Sequence, residues 1–402
     1  MGPQRRETAM TGTMTASMAQ TAAPPTADER PAPVLLHVFP SFGIGGVQLR
    51  MATIVNCLGS RFRHIFVTLD GATDSRIHLS PGLDSSVLAP AIEKRRPVTT
   101  LLQIRRILGE TPHDLLLTHN WGAVEWALVS RFFGSVPNIH FESGFGHDDP
   151  DGRLKRRVFA RRFAFGAAER IVVPSRKLSD LATNVWKLDR RRIVYIPNGV
   201  DVVRFGQRPD SHAIAGFTPA PDELVIGTVA PLRPIKNIGR LLWAFARLSQ
   251  PRARLVIVGD GAEMAALKTL AAELGVADRV VFAGHLDAPE KIYGLFDIFI
   301  MSSDSEQMPN TLLQAMAAGR PVVATDVGDI REIVAVENRP YIVPRDDAAL
   351  ADAIRRLAIA ADVRARLGAA NQQRARSTYA LDTMCAAYRE LFDACLRLRR
   401  TP

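Results

Sequence analysis

In the stretch SEQMPNTLLQAMAAGRPVV a carboxylate, Glu306, stands just ahead of a short apolar helix and an amide, Gln314, lies one turn inside it, with seven residues between them. Pro309 suits the first helical turn, Leu312, Leu313 and Met316 supply a core face, and Gly319 with Pro321 ends the helix. Packing uses those residues and has no need of Glu306, or of Gln314 on the face shared with Asn310. Both read as hydrogen-bonding groups for a polyhydroxyl ligand, with the amides around Asn310 and Thr311 free for phosphate. A plain capping role for Glu306 is the alternative.

Two further segments could serve the same chemistry. PLRPIKN brings Arg233 and Lys236 to the end of an apolar run, where a cation can hold a diphosphate and stabilise negative charge as it departs; solvated surface charge is the bland reading. FGIGGVQ carries glycines at 43, 45 and 46 ahead of a helix expected to begin near Gln48, and such glycines permit positive backbone dihedrals and close approach of a ligand. GxGxxG is not met, because Gln48 takes the third glycine's place, so a tight turn remains open. His119, Asn120 and Trp121 sit at another strand end and, with Ser143, are candidate acceptor-side groups.

The elements that must position these residues form two series. VLLHVFP, HIFVTL, DLLLTH, NIHF, RIVVPS and RIVYIP read as strands separated by amphipathic helices. After the polar residues 207–222 a second series follows: LVIGTVA, RLVIVG, RVVFAG, DIFIMSS, PVVATD and RPYIVP. This predicts an α/β chain of two doubly wound domains: an arm at 1–32 without core-forming residues, a domain at 33–206, a linker at 207–222, a domain at 223–380 and a closing helix at 381–402. Ligands of such sheets bind beyond the carboxyl ends of the strands, which places the site between the domains. Leu350, Ile354 and Leu357, then Met384, Tyr388, Leu391 and Leu396, have the spacing of C-terminal helices.

With 402 residues the chain supports two cores, and no apolar run reaches the length of a membrane span. Cys57, Cys385 and Cys395 have no CxxC or zinc spacing, so reduced thiols and a cytosolic setting are expected. The net charge of +10 favours anionic partners. The densest basic segment, around 153–162, places Leu154, Val158 and Phe163 on one stripe flanked by Lys155, Arg156, Arg157, Arg161 and Arg162. It could rest on anionic lipid, or be a core-packed helix with a wet basic face. No basic and aromatic interleaving points to nucleic acid.

SSDSEQMPNTLLQAMAAGRPVVATDVG resembles the signature of glycosyltransferase family four, whose members pair two glutamates separated by seven residues before such a run. IPNGVD followed by Phe205, the GGVQ loop, the PxKN segment, VGDG at Val258 to Gly261 and FAGH at Phe282 to His285 are similar to that family and occur in its order. The resemblance implies a GT-B architecture, two Rossmann-like domains facing across a cleft. It implies retaining transfer of a sugar from a UDP-, GDP- or ADP-sugar to a saccharide or lipid-linked acceptor, in cell-envelope or exopolysaccharide synthesis, with no cofactor and no bound metal. Location would be cytoplasmic, at most peripheral to the inner face of the membrane. Residue by residue, Gly45 and Gly46 would approach the diphosphate and sugar, Lys236 hold the phosphates, Glu306 contact the transferred sugar, Met308 to Thr311 cover it, and Gly284 and His285 lie near the base. The family's second glutamate is Gln314 here, its phosphate-binding arginine aligns with Pro231 so that Arg233 would have to reach instead, and the histidine of an EHG-like segment is Ser143. His140, Glu142 and His147 supply no clear base. A catalytically impaired nucleotide-sugar binder or scaffold, and a sugar-nucleotide epimerase of the same architecture, are the other readings.

Overall fold

A computed structural model of the chain describes residues 31–93, 96–134, 136–144 and 152–398. The expected N-terminal arm, apart from its last two residues, and His147 lie outside them.

Short runs rich in Val, Ile, Leu and Phe form parallel strands because both faces are covered by helices, which removes the polar alternation of a half-wet sheet. In the first domain the strands are β1 (Val34–Phe39), β2 (Arg63–Thr68), β3 (Ser85–Leu88), β4 (Leu115–His119), β5 (Asn138–Phe141), β6 (Arg170–Val173) and β7 (Ile193–Tyr195). Their order is β3-β2-β1-β4-β5-β6-β7 and every pair is parallel. β3 was not foreseen: SSVL is short, at the sheet edge, and alternates half-buried with exposed residues. The second domain contains β8 (Leu224–Val229), β9 (Ala253–Val258), β10 (Val280–Gly284), β11 (Ile298–Met301), β12 (Val322–Thr325) and β13 (Ile342–Val343), in the order β10-β9-β8-β11-β12-β13.

The helices are α1 (Gly46–Leu58), α2 (Pro97–Glu110), α3 (Val124–Phe133), α4 (Lys155–Phe165), α5 (Arg176–Asn184), α6 (Val202–Phe205), α7 (Ile238–Ala246), α8 (Met264–Glu273), α9 (Asn310–Ala317), α10 (Ile330–Ile333), α11 (Asp347–Ala358), α12 (Ala361–Thr378) and α13 (Leu381–Leu398). Ser175, Asn237 and Asp346 cap α5, α7 and α11 by accepting from first-turn amides, which fixes where three of them start. In the first domain Leu35, Phe39, Ile54 and Phe141 form one core layer, and α13 returns to it with Tyr388 and Phe392. In the second domain Leu241, Phe245, Leu255, Ile300 and Leu350 fill one face and Phe299, Leu313 and Met316 the other. Residues 207–222 form no helix or strand, yet Ile214 and Phe217 are buried in that second core.

Because α13 lies on α1, Cys57 and Cys385 meet and are joined as a disulfide, although 328 residues separate them. The expectation of three free thiols holds only for the buried Cys395. In each sheet the order in which successive strands are added reverses between two neighbouring parallel strands, β1 and β4 in the first and β8 and β11 in the second. Loops leaving those strands part there and open a crevice.

Candidate active site

The crevice of the second sheet holds Lys236 and Glu306. Lys236 ends the turn after β8, Glu306 lies in the loop after β11, and Lys236 Nζ donates to Glu306 Oε1 at 2.5 Å. Ser303 Oγ donates to the same oxygen at 2.7 Å, leaving Oε2 without a protein donor among the described residues. The two loops are fastened to each other. Ser302 Oγ donates to the Lys236 carbonyl, Asn237 Nδ2 to Asp304 Oδ2, and Arg240 Nη1 to both the Ser302 carbonyl and Asp304 Oδ1. Gly328, at φ +55°, backs the Glu306 turn: a Cβ there would lie 2.2 Å from the Glu306 carbonyl oxygen, so no other residue fits.

Directly after Glu306 the chain enters α9. Pro309 is its N-cap, one position earlier than the spacing suggested, and no side chain caps the helix. Its first amides, from Asn310 and Thr311 onward, therefore face the crevice unpaired by a cap, at the positive end of the helix dipole. Gln314 is on this helix, but its Oε1 accepts from Tyr293 Oη at 2.7 Å, so the oxygen expected to meet a ligand hydroxyl is already engaged by a core tyrosine. Arg233 is exposed and forms no ion pair among the described residues. Gly284 adopts φ +69°, and His285 beside it is largely exposed, 3.7 Å from Asp287.

The first domain closes on this loop. Asn198 Nδ2 donates to the Met308 carbonyl and to Asn310 Oδ1, both at 2.8 Å. Ser175 Oγ donates to Gln307 Oε1 at 3.2 Å, and the Asp329 carboxylate accepts from the amides of Arg176 and Lys177 at the start of α5. Burial pushes the Asp329 carboxyl up while those amides oppose it. A cavity of about 190 Å³ lined by Arg176, Tyr195, Asp329, Arg374 and Tyr379 also lies between the domains, and none of the Lys236, Glu306 or α9 residues lines it.

The glycine loop differs from expectation. Gly45 is extended at φ −167°, and neither Gly43 nor Gly46 adopts a positive φ. Steric openness at Gly46, where an added Cβ would meet nothing within 4 Å, is what remains of the argument for close approach, and the helix starts at Gly46 rather than Gln48.

Among the acceptor-side candidates, His119 is corrected. It is fully buried, stacked on Phe39 at 3.8 Å and on Phe141 at 4.7 Å, with both ring nitrogens unpartnered among the described residues. The neighbouring strands β1 and β5 bring Phe39 and Phe141 against the ring at this strand end. Asn120, at φ 55°, uses its Oδ1 to hold the Ser143 amide, and Trp121 lies under the guanidinium groups of Arg157 and Arg161. Ser143 Oγ accepts from Arg50 Nη2 at 2.5 Å. His140 stacks on Phe165, and Glu142 lies fully buried 3.5 Å from Arg161.

The basic segment is corrected too. Arg157 and Arg161 turn inward, Arg161 between Trp121 and Trp186, so they are not surface charges. Val158 packs into the core. Outward on α4 stand Arg156, Phe159, Arg162 and Phe163, next to Phe132 and Phe133 of α3. No described helix is long and apolar enough to cross a membrane, and among the described residues no cluster of three metal-ligating side chains occurs.

Two parallel nucleotide-type sheets, with a lysine, a glutamate and an uncapped helix N-terminus at the switch point of the second, define a GT-B glycosyltransferase. The chain belongs to glycosyltransferase family 4: residues 44–204 match the model described as Glycosyltransferase Family 4, and residues 223–359 match that of Glycosyl transferases group 1. It is 29% identical over 320 residues to a D-inositol 3-phosphate glycosyltransferase of Stackebrandtia nassauensis, covering 72% of this chain and 71% of that protein. To the 2-deoxystreptamine N-acetyl-D-glucosaminyltransferase of Streptomyces fradiae it is 28% identical over 242 residues, 57% of this chain and 58% of the relative. The crystal structure of HepE from Anabaena in complex with UDP superposes with a TM-score of 0.75 at 18% identity, over 90% of this chain and all of that one.

Proposed function

We propose that this chain transfers a sugar from a nucleotide-diphosphate sugar to a saccharide or lipid-linked acceptor with retention of configuration and without a metal ion. The observation that carries the reading is the 2.5 Å contact of Lys236 with Glu306 beside the open N-terminus of α9. Fixed positive charge and amides are thereby concentrated where a departing diphosphate needs them. HepE, a structural neighbour, has been crystallised with UDP-glucose, and this supports a donor of that class.

In the proposed reaction the acceptor oxygen attacks the anomeric carbon on the face the diphosphate leaves. The bond from that carbon to the phosphate oxygen breaks, its electron pair stays on the phosphate, and the phosphate accepts the acceptor's proton. Products are the glycoside and a nucleoside diphosphate. Lys236, the α9 amides and the main chain at Gly46 offset the developing charge, while Glu306 Oε2 orients a sugar hydroxyl. Gly284 and His285 flank the base. The first domain receives the acceptor. An apolar cavity of about 240 Å³ lined by Leu69, Ile92, Leu101, Ile104 and Trp126, just past the ends of β2 and β4, suits the lipid part of a lipid-linked acceptor.

The same domain is the proposed contact with an anionic bilayer. Phe132, Phe133, Phe159 and Phe163 form one exposed aromatic patch, Phe159 being 72% exposed, and Arg105 and Arg131 lie over Phe133 and Phe163 at 4.6 and 4.8 Å. Aromatic rings ringed by arginines match the headgroup region of an anionic membrane. Substituting Phe159 and Phe163 by Ser should abolish flotation with phosphatidylglycerol vesicles, and unchanged flotation would remove this patch as the contact.

The catalytic reading is tested by supplying UDP-, GDP- and ADP-sugars with an extract of acceptor lipids and saccharides. Acceptor-dependent release of nucleoside diphosphate is expected. Donor binding without release would favour a binding or scaffold protein, and conversion of the donor sugar without acceptor would favour an epimerase.

A further inference from the structure

Arg50, on the first turns of α1, is only 7% exposed, and among the described residues nothing negative answers its charge. Nη1 donates to Asn198 Oδ1 at 2.8 Å and Nη2 to Ser143 Oγ at 2.5 Å, both neutral oxygens, while Nε has no partner. No carboxylate pairs with it among the described residues. The nearby His119 is held neutral, by burial first and by the Arg50 charge second. A guanidinium withdrawn from water in this way destabilises the fold unless an anion arrives to meet it.

The other cations of the cleft are placed differently. Lys236 is engaged by Glu306 at 2.5 Å, Arg240 by Asp304 at 2.8 Å and Asp347 at 3.1 Å, and Arg233 stands in solvent. Arg50 alone of these four is both buried and without a carboxylate. Its position relative to the donor loop is set by one side chain. Asn198, which accepts from Arg50, donates in turn to the Met308 carbonyl and Asn310 Oδ1, so the guanidinium lies a single amide away from the uncapped start of α9.

We propose that Arg50 is a phosphate-binding residue, contributed by the first domain, that meets the diphosphate of the bound nucleotide opposite Lys236 and the α9 amides. The proposal rests on the glycosyltransferase reading and deepens it. With Pro231 unable to offer charge, the cleft draws its second cation from across the domain junction. Closing the domains would then be coupled to donor binding, because Arg50 and Asn198 belong to one domain and the α9 loop to the other. A purely structural strut through Asn198 is the competing role, and it predicts no preference for phosphate number.

The test compares nucleotide affinities by calorimetry for UDP, GDP and ADP and for the matching monophosphates, using the full chain and Arg50→Gln and Arg50→Lys. In the wild type one diphosphate should bind more tightly than its monophosphate. Arg50→Gln should weaken that diphosphate about 10- to 100-fold, as expected for loss of a charge-assisted contact, and the monophosphate by less than about 3-fold; Arg50→Lys should recover part of the loss. Equal losses for both nucleotides, or none, would overturn the assignment. Should Arg50→Gln fail to fold, the Arg50 Nε–H resonance of the wild type gives the same answer: it must shift with the diphosphate and stay in place with the nucleoside. A wild type that binds none of the three diphosphates sinks the glycosyltransferase reading itself, and this proposal with it.

Discussion

Replacing Lys236 by Ala separates what the ion pair does for the fold from what it does for chemistry. Glu306 has 8% of its side chain exposed, and without Lys236 its carboxylate would keep only the Ser303 hydroxyl. Orphaning a buried charge costs about 3 to 5 kcal/mol. Lys236, at 20% side-chain exposure, lies at the mouth of the cleft, and water reaching the vacated space should reduce this to about 2 kcal/mol. Adding Glu306→Gln removes the orphaned charge while keeping an acceptor for Ser303, so the double variant should return to within about 0.5 kcal/mol of the wild type. Urea unfolding at constant slope reads both values. Turnover should behave otherwise: Lys236→Ala loses about 100- to 1,000-fold in kcat, as removal of one fixed group at a developing anion does, and the double variant recovers none of it. Recovery of turnover with stability would show that Lys236 only neutralises Glu306. A single variant as stable as the wild type would show that the pair does not form.

Three more outcomes follow from the geometry. His37, His64 and His119 are buried with their pKa values lowered, mainly by desolvation, His64 to about 4, so the folded protein resists protonation that the unfolded chain accepts below about 6.5. Their stabilisation is present above that pH and is lost as pH falls toward the folded values, about 2 kcal/mol for His64 at pH 5. Denaturant melts at pH 7.5 and 5.0 should differ accordingly, and equal stability would contradict the burial. Gly328→Ala, facing a 2.2 Å clash with the Glu306 carbonyl at φ +55°, should displace the Glu306 turn and lower kcat by about 100-fold with a modest loss of melting temperature; normal kinetics would disprove the backing role. Asn198→Ala should raise KM for the donor more than it lowers kcat, because it cuts the link from Arg50 to the Met308 carbonyl. A change confined to kcat would argue against that link.

Much of this was legible before any coordinates, and the reasons are local. Apolar runs bounded by Gly, Pro and Asp announce buried parallel strands, so twelve of the thirteen described strands and their division into two series are legible in the sequence; β3 escapes because an edge strand needs little apolar content. Glu306 is visible because packing has no use for it, and Lys236 because it is a cation placed just past a strand end. What stayed hidden depends on partners distant in sequence. Arg157 and Arg161 turn inward because Trp121 and Trp186 receive them, and His119 is buried because neighbouring strands bring Phe39 and Phe141 to its ring. Cys57 meets Cys385 only because α13 crosses back to α1. Arg50 carried a faint signal, a charged residue four positions after Gly46 in an otherwise apolar helix face, but its neutral partners at 143 and 198 could not be read from one dimension.

The most direct measurement is a crystal structure of the wild type soaked with whichever nucleoside diphosphate it binds. The account predicts the β-phosphate within hydrogen-bonding distance of Lys236 Nζ and the amides of Asn310 and Thr311, with the Arg50 guanidinium on its opposite side. A nucleotide seated elsewhere, with Lys236 still paired to Glu306 and the start of α9 untouched, would contradict it.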